Sequence, residues 1–411
     1  MLNLEKSKKL HARAMEIIPG GTNTNAKRIE NLLNAENFPA YIERGEGAYL
    51  WDLDGNKYID YIASLAPINI GHHDPRITAR LKKQLDKGTL FSLPGSNEVK
   101  LSELLIEKIP CAEMVKIMKT GAEVTSAGIR AARFATGRDM ILSCEYHGWH
   151  DWWSAKLGHP GIPQCYKDLI RDFTFNDFEQ LEKQVNELDG KVACIILTAA
   201  GYGVEPKNNF LHKIRKLCED KGIVLIFDEI ITGFRWSIGG AQLKYGVTPD
   251  LAAFGKAMAN GMPISVLVGK KEVMSYLKDT LVTSTFASEA LSIEAALETI
   301  KILEEDQIIE KLYSHSNKLR AGINQISAKH RFEIDTLDPT PVVKFEFPAL
   351  TDEEKKKVQF EFIKESAAKG ILMRQDGTGI SLCVIAALSQ DDIDYTLEVI
   401  DSAIGKVKNV I

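Results

Sequence analysis

An acid and a lysine each follow a short apolar run, at positions where they could together support covalent chemistry on an aldehyde. Asp228 follows the run VLIF (224–227), and Lys256 follows LAAF (251–254) after one glycine. About one strand-to-strand step of an α/β sheet separates them, so both are expected at the carboxyl edge of one sheet. A lysine in a partly desolvated pocket has a lowered pKa and can form a Schiff base with an aldehyde.

Residues suited to bind a phosphate and a flat ring follow two other apolar runs, MVKIM (114–118) and MILSC (140–144). They are Thr120, Gly121 and Ala122 after the first run, and Tyr146 and His147 after the second. Thr120 with Glu123 is typical of a capping box that needs no ligand. Small residues at the same helix start also leave backbone N–H groups free for a phosphate, and both interpretations can hold together.

These parts together match the needs of pyridoxal phosphate (PLP), which supplies an aldehyde, a phosphate and a ring nitrogen. Asp228 is expected to keep that nitrogen protonated, because a bond between a carboxylate and a pyridinium is roughly twice as strong as a neutral hydrogen bond. Ile230, two residues further on, is expected to point the same way and to pack under the ring. The sequence therefore predicts a PLP enzyme with Lys256 as its reactive amine.

Two nucleotide-binding classes and a metal site are not supported by the motifs. Asp228 and Glu229 after an apolar run are also typical of a Walker B strand, but no Gly-Lys pair is followed by Ser or Thr. The G-x-G sequences lack a third glycine in place, so they form no dinucleotide fingerprint. His147, His150 and Asp151 have no further ligand motif, so we predict no metal.

The elements that must position these residues alternate between helices and short buried strands from about residue 100 onward. This alternation is typical of an α/β fold with a mainly parallel sheet covered by helices. We predict helices at 97–108, 124–136, 177–187 and 208–221, and strands at 114–118, 140–144, 193–197, 224–227 and 251–254. Earlier in the chain, Asp54-Gly55 predicts a hairpin.

The same patterns divide the chain into three stretches. We assign 1–66 to the N-terminal helix and hairpin of a small domain, 67–288 to a PLP-binding large domain, and 289–411 to the C-terminal part of the small domain. The last stretch reads as a smaller α+β unit, because long helical segments alternate there with short strands.

The composition of the 411 residues excludes several partners. The net charge is -5 and no Lys or Arg run forms a basic stripe, so we expect no nucleic acid partner. Six cysteines are scattered without a C-x-x-C pair, which favours a reducing compartment. No apolar run approaches the length of a membrane span, and the N-terminus lacks the apolar core of a signal peptide. We therefore expect a cytoplasmic protein with no membrane partner.

One long segment gives the chain a family resemblance. The segment LIFDEIITGFRWSIGGAQLKYGVTPDLAAFGKAMANGMPI resembles the PLP segment of class III aminotransferases. GGAQ and YGVTPDL within it resemble the glutamate-1-semialdehyde aminomutase branch, and the likeness extends to IPGGTNTN and KTGAEVTSAGIRAARFATGRD. The resemblance implies the type I aminotransferase fold, with a large cofactor domain and a small domain made from both chain ends. It also implies a homodimer with active sites at the subunit interface.

The resemblance also implies roles for individual residues. Lys256 matches the Schiff-base lysine, Asp228 the ring-nitrogen acid, Tyr146 the stacking aromatic with His147 beside it, Gly121 and Ala122 the phosphate loop, and Ser284 and Thr285 the phosphate contacts from the neighbouring subunit. Ala122 departs from the family, which has a hydroxyl residue there. That phosphate contact is therefore lost or comes from Thr120.

The candidate substrate residues depart from the aminomutase pattern. Lys27, beside Arg28, aligns with the arginine that binds the substrate carboxylate in aminomutases, and Leu65 replaces their tryptophan. ILMRQDGTGISL instead resembles the omega-aminotransferase stretch whose arginine binds the substrate carboxylate, which nominates Arg374. The structural alternative for Arg374 is a surface arginine on a small-domain strand.

These departures favour an aminotransferase that uses two substrates. We predict transfer of an amino group from an amino donor to a small carbonyl acceptor, and the aromatic segment HGWHDWW suggests a sugar-like acceptor. The alternative is a glutamate-1-semialdehyde 2,1-aminomutase, because one residue of slippage in a loop would let Lys27 or Arg28 act as the anchor. A decarboxylase or a racemase would share the same cofactor residues.

Overall fold

A computed structural model describes residues 2–32, 38–201, 204–338 and 340–407. Its strands are β1 (Ile42–Glu46), β2 (Tyr49–Asp52), β3 (Lys57–Asp60), β4 (Met114–Met118), β5 (Met140–Cys144), β6 (Ile170–Asp172), β7 (Val192–Leu197), β8 (Val224–Asp228), β9 (Leu251–Phe254), β10 (Ser265–Gly269), β11 (Asp335–Thr336), β12 (Val342–Glu346), β13 (Ile371–Leu372), β14 (Arg374–Asp376) and β15 (Gly379–Cys383).

Its helices are α1 (Glu5–Ile17), α2 (Pro75–Leu85), α3 (Ser96–Lys108), α4 (Gly121–Thr136), α5 (Asp151–Ser154), α6 (Gln164–Lys167), α7 (Phe178–Glu187), α8 (Phe210–Lys221), α9 (Ala241–Tyr245), α10 (Lys271–Met274), α11 (Ala290–Glu305), α12 (Ile308–His330), α13 (Asp352–Ala368) and α14 (Gln390–Val407). Within the described residues, no helix is long and apolar enough to cross a membrane.

The chain divides into two compact units. Unit 1 consists of Met1–Pro75, Tyr202–Val204 and Gln307–Ile411, and unit 2 consists of Arg76–Gly201 and Glu205–Asp306. The sequence prediction placed a boundary between residues 288 and 289. In the structure α11 belongs to unit 2 instead, because most of its surface is buried and it packs against α3 and the turn after β9.

Unit 2 contains a seven-stranded sheet in the order β4-β10-β9-β8-β7-β5-β6. The neighbours from β9 through β6 run parallel, whereas β10 runs antiparallel to both β4 and β9. The central strands β5, β7, β8 and β9 are buried along their whole length, as expected when helices cover both faces of a sheet. The predicted α/β sheet is therefore present, with β6 and β10 as additional strands.

Helix α4 begins at the carboxyl end of β4 and lies across this sheet. Its capping box is the predicted one: Glu123 N donates to Thr120 Oγ1 at 3.3 Å, and Thr120 N donates to Glu123 Oε2 at 2.8 Å. The helix ends at Gly137, whose φ of 65° lies in the left-handed region that glycine adopts readily. Because both ends are fixed by local contacts, the first turn of α4 has a defined place at the sheet edge.

Unit 1 contains two four-stranded sheets, in the orders β1-β2-β3-β13 and β11-β12-β15-β14. β2 and β3 form the predicted hairpin, and Gly55 takes the positive φ of 90° that its turn requires. β13 from the C-terminal part of the chain pairs in parallel with β3 from the N-terminal part. This pairing joins the two ends of the chain into one unit.

Candidate active site

Asp228 and Lys256 lie at the same edge of the unit 2 sheet. Asp228 is the last residue of β8 and pairs in register with Ala253 of β9. Lys256 follows β9 after Gly255, and the side chain of Asp228 is buried apart from 8% of its surface. The sheet register therefore brings the acid and the lysine to one edge, as the spacing of their strands predicts.

Lys256 has an unusual backbone conformation for a residue with a side chain. Its φ is 40°, in the left-handed region, and it begins a short 3-10 turn that extends to Ala259. The N–H of Met258 donates to the carbonyl of Gly255 at 3.0 Å and closes this turn. A non-glycine residue in this region costs on the order of 1–3 kcal/mol, and such residues cluster at functional sites. The side chain of Lys256 is half-buried.

His147 contacts the carboxylate of Asp228. Its Nδ1 lies 2.8 Å from Asp228 Oδ2 and is the donor, because an ionised carboxylate only accepts hydrogen bonds. The imidazole is fully buried and stacks on Trp152, with ring centroids 6.4 Å apart. Thr125 Oγ1 donates to the backbone carbonyl of His147 at 2.8 Å. The sequence placed His147 only beside Tyr146, so its pairing with Asp228 is a finding of the structure.

Ile230 reaches the site by a turn and not by strand alternation. The sequence prediction extended the alternation of β8 past Asp228, but the strand ends at that residue. The N–H of Ile230 instead donates to Asp228 Oδ1 at 3.0 Å. A Cβ at Gly121 would lie 3.5 Å from the Ile230 side chain, and one at Gly255 would lie 3.1 Å from it. Ile230 therefore lies between the start of α4 and the end of β9.

Tyr146 presents an aromatic ring at this edge. The residue is 63% exposed, and its ring packs edge-on against Trp153 at 4.8 Å between centroids. Partial burial raises the pKa of Tyr146, and the nearby negative charge of Asp228 raises it further. The hydroxyl therefore stays protonated at neutral pH.

The first turn of α4 carries backbone donors and one hydroxyl. Thr120 Oγ1 accepts from Glu123 N in the cap, which leaves its own proton available for another acceptor. Gly148 packs directly over this turn, since a Cβ at residue 148 would lie 2.8 Å from Ala122 Cα. The φ of Gly148 is 106°. The backbone therefore approaches Ala122 closely only because residue 148 is glycine.

Ser284 and Thr285 lie on the segment that leads into α11. Ser284 is half-buried and Thr285 is exposed. Leu281 and Phe286 on the same segment are 86% and 58% exposed. The segment therefore presents polar and apolar side chains to its surroundings.

Two of the four candidate substrate residues come together within unit 1. Leu65 and Arg374 line one small cavity, whose other lining residues are Ile62, Ala66, Asp376, Ser381 and Cys383. Arg374 Nε donates to the carbonyl of Gln375 at 3.3 Å, and among the described residues no carboxylate pairs with its guanidinium. Lys27 is exposed, and Arg28 lies against Gly20, where a Cβ would be 2.5 Å from its Nε. Neither of them lines this cavity.

The unit 2 residues fit PLP by their chemistry. The first turn of the 16-residue helix α4 offers N–H groups to a phosphate. Asp228 offers an oriented buried carboxylate to a protonated ring nitrogen, and Tyr146 offers an aromatic face to the ring. Within the described part of the chain, no group of three His, Cys, Asp or Glu residues could hold a metal. His150 Nδ1 instead lies 2.7 Å from Ser126 Oγ.

Comparison with known proteins gives the same family as the resemblance. A family model described as Aminotransferase class-III matches residues 33–404. The chain is 35% identical to 3-aminobutyryl-CoA aminotransferase of Cloacimonas acidaminovorans, over 100% of this chain and 99% of the relative. It is 39% identical to glutamate-1-semialdehyde 2,1-aminomutase of Pelodictyon phaeoclathratiforme, over 79% of each chain.

A solved structure confirms the predicted fold. The FumI protein of Sphingopyxis sp. MTA144, whose structure holds PLP, superposes with a TM-score of 0.91 and 29% identity, over 98% of this chain and 97% of that chain. The strand ends, the start of α4 and these comparisons agree on the cofactor. The chain belongs to the class III aminotransferases and is a PLP-dependent transaminase.

Proposed function

We propose that this transaminase moves an amino group from a carboxylate-bearing amino donor to a separate small carbonyl acceptor. The unit 1 cavity supports the proposal, because Arg374 lines it together with Leu65 and Asp376 and forms no ion pair with a carboxylate among the described residues. A guanidinium presents a planar fork that matches a carboxylate, whereas an ammonium is a point charge. Arg374 is therefore the proposed anchor of the donor carboxylate.

The unit 2 residues have distinct proposed roles. PLP, when bound, draws electrons from the substrate carbon and so weakens its bond to hydrogen. Lys256 would hold the cofactor, and its Nζ would take up the proton that leaves the substrate carbon and return it later. Asp228 would accept a hydrogen bond from the protonated ring nitrogen, with His147 keeping its carboxylate in place. Tyr146 and Ile230 would contact the ring, and Thr120, Gly121 and Ala122 would bind the phosphate.

The proposed functional form is a homodimer in which Ser284 and Thr285 contact the phosphate of the neighbouring subunit. An exposed apolar surface supports it, because Ala290 N donates to Thr89 O at 2.8 Å and so joins two segments rich in exposed side chains. These side chains are Leu90, Phe91, Leu93, Leu281 and Phe286. Large exposed apolar patches mark interaction sites.

Light scattering on the cofactor-loaded protein should give twice the mass of one chain. Replacing Leu281 by Asp should shift this mass towards that of one chain and lower activity, because a charge would then have to be buried in the interface. A fully active monomer would refute the shared site.

All six cysteines are free thiols, which supports a reducing compartment such as the cytoplasm as the place of action.

The acceptor is proposed to be a small carbonyl compound that is sugar-like in shape. The aromatic segment after β5 supports this proposal, since Trp149 is 71% exposed and Tyr146 is 63% exposed. Aromatic side chains offer large apolar faces together with a polar edge, which suits a ring that carries hydroxyl groups.

The aminomutase remains the second candidate, because the identity to that relative reaches 39%. Its carboxylate anchor would have to be Lys27 or Arg28. Lys27 is exposed and Arg28 packs on Gly20, and both observations support the intermolecular aminotransferase over the aminomutase.

A donor comparison tests the role of Arg374. Replacing Arg374 by Gln should raise the KM for an ω-amino acid by about 10- to 100-fold and leave the KM for the matching amine, which lacks the carboxylate, unchanged. Steady-state kinetics with one keto acid acceptor would measure both values. Arg13 on α1 offers the matched control, since it is 64% exposed and its replacement by Gln should change neither KM. Equal KM values for the ω-amino acid in wild type and R374Q would refute the anchor.

A further inference from the structure

A left-handed turn forms part of the wall of the unit 1 cavity. Ala63, Ser64, Leu65 and Ala66 have φ values of 48°, 54°, 73° and 76°, and none of them is a glycine. This conformation is disfavoured for residues with a side chain, because Cβ crowds the following carbonyl oxygen. Four such residues in a row require contacts from the surrounding structure to hold them in place.

The carboxylate of Asp60 supplies contacts at the start of this turn. Asp60 ends β3 and is fully buried. Its Oδ1 accepts hydrogen bonds from the N–H of Ile62 at 2.9 Å and from the N–H of Ala63 at 3.0 Å. The N–H of Leu65 then donates to the carbonyl of Ile62 at 2.9 Å and closes the turn. Asp60 therefore acts as the cap of the left-handed turn.

His72 holds the same carboxylate through its other oxygen. His72 Nε2 lies 2.9 Å from Asp60 Oδ2, and the imidazole is only 12% exposed. The backbone of His72 exchanges two hydrogen bonds with Gly47, at 2.9 and 2.8 Å. Gly45 leaves room for the ring, since a Cβ at that position would lie 2.8 Å from His72 Cγ. Both oxygens of Asp60 therefore have fixed partners.

We propose that Asp60 and His72 are positioning residues that set the substrate specificity of the transaminase through the left-handed turn. The proposal rests on the proposed role of Arg374 as the carboxylate anchor. Because Ile62, Leu65 and Ala66 line the same cavity as Arg374, the position of the turn sets the width of the space beside the guanidinium. The apolar side chains of the turn form one wall of this cavity, and Asp376, Ser381 and Cys383 complete its lining beside Arg374.

Two independent variants test this proposal. Replacing Asp60 by Asn keeps the size but gives a weaker acceptor, and its NH2 group meets the N–H of His72. Replacing Gly45 by Ala leaves Asp60 itself unchanged and displaces His72, although the new Cβ would also lie 2.9 Å from Leu50 Cδ2. Each variant should raise the KM for an ω-amino acid by about tenfold and leave kcat and PLP affinity within about twofold of wild type. The KM for the matching amine should not change.

Asp52 provides the matched control. It is a buried carboxylate on β2, and it accepts hydrogen bonds from the N–H of Asp54 at 3.0 Å and of Asn56 at 2.8 Å. Replacing Asp52 by Asn should lower the melting temperature in the same way as the Asp60 variant and leave every KM unchanged. A second substitution should rescue the Asp60 variant. Adding A63G to D60N should lower the KM for the ω-amino acid again, because glycine adopts positive φ without steric cost.

The possible results distinguish a failure of the positioning role of Asp60 and His72 from a failure of the anchor role of Arg374. A wild-type enzyme that does not distinguish the ω-amino acid from the amine would refute the anchor role of Arg374, and the positioning role would fall with it. A wild-type enzyme that distinguishes them, with the same preference in folded D60N and G45A, would overturn the positioning role alone. An equal KM increase in D52N would also overturn it.

Discussion

Replacing Lys256 by alanine is expected to lower kcat for amino transfer by on the order of 10⁴-fold or more, because it removes the amine proposed to hold the cofactor covalently and to move the substrate proton. Lys256 follows β9 on the sheet edge that carries Asp228, and its φ of 40° lies in the left-handed region. Borohydride reduction of the wild type, followed by peptide mapping, would measure the attachment. The label should be on the peptide that contains Lys256.

Lys270 is the matched control for this prediction. It is a lysine at the opposite end of the sheet, directly after β10, where it forms an ion pair with Asp250 at 2.7 Å. Replacing Lys270 by alanine should cost some stability and leave kcat within about twofold of wild type. A labelled peptide with another lysine, or a K256A enzyme with near wild-type turnover, would contradict the assignment.

Replacing Asp228 by asparagine is expected to lower kcat by about 10²- to 10³-fold. An amide carries no negative charge to balance the positive charge of a protonated ring nitrogen. Its NH2 group would also face the Nδ1 donor of His147, which lies 2.8 Å from Asp228 Oδ2 in the structure. The ring would then withdraw electrons less strongly from the substrate. Single-turnover kinetics with one amino donor would measure this step separately from product release.

Glu229 gives the control, since it is an adjacent buried carboxylate with a different set of partners. Its oxygens accept hydrogen bonds from the N–H of Ala241 at 2.8 Å and of Gln242 at 2.9 Å, and from the hydroxyl of Thr232. Burial raises the pKa of Glu229, although these hydrogen bonds oppose that effect. Replacing Glu229 by Gln should destabilise the protein and leave the single-turnover rate nearly unchanged. A D228N rate equal to wild type at full PLP occupancy would refute the role of Asp228.

The residues at the sheet edge were predictable because each follows an apolar run. Parallel strands place their carboxyl ends together, so the positions of Asp228, Lys256 and Tyr146 in the sequence predict their common edge. The capping box at Thr120 was predictable for a similar reason, since a cap depends on residues only three positions apart. Local chemistry and strand order are both present in the sequence pattern.

Other features depend on contacts that the sequence pattern does not contain. β6 and β10 were not predicted, and although SVLVG of β10 is an apolar run, its antiparallel place between β4 and β9 cannot be read from the local pattern. Ile230 was assigned by strand alternation, although β8 ends two residues earlier. The bond between His147 and Asp228 joins the ends of two strands that lie apart in the sheet order, and only the fold shows the distance. The left-handed turn after Asp60 contains no glycine, so it carries no turn signal of the usual kind.

An aminomutase and an aminotransferase differ in how they hold their substrates. An aminomutase keeps a single small molecule in place while its amino group moves to the neighbouring carbon, so its carboxylate anchor must be rigid. In the proposed aminotransferase two substrates are exchanged instead, and the first product leaves before the acceptor enters, with Arg374 as the proposed carboxylate anchor.

Intermolecular amino transfer is tested by supplying glutamate 1-semialdehyde alone to the PLP-loaded enzyme and following 5-aminolevulinate. We predict no efficient formation of 5-aminolevulinate, together with ready conversion of the cofactor to its pyridoxamine form when a suitable amino acid is supplied without an acceptor. Efficient turnover of glutamate 1-semialdehyde without any second substrate would contradict intermolecular amino transfer.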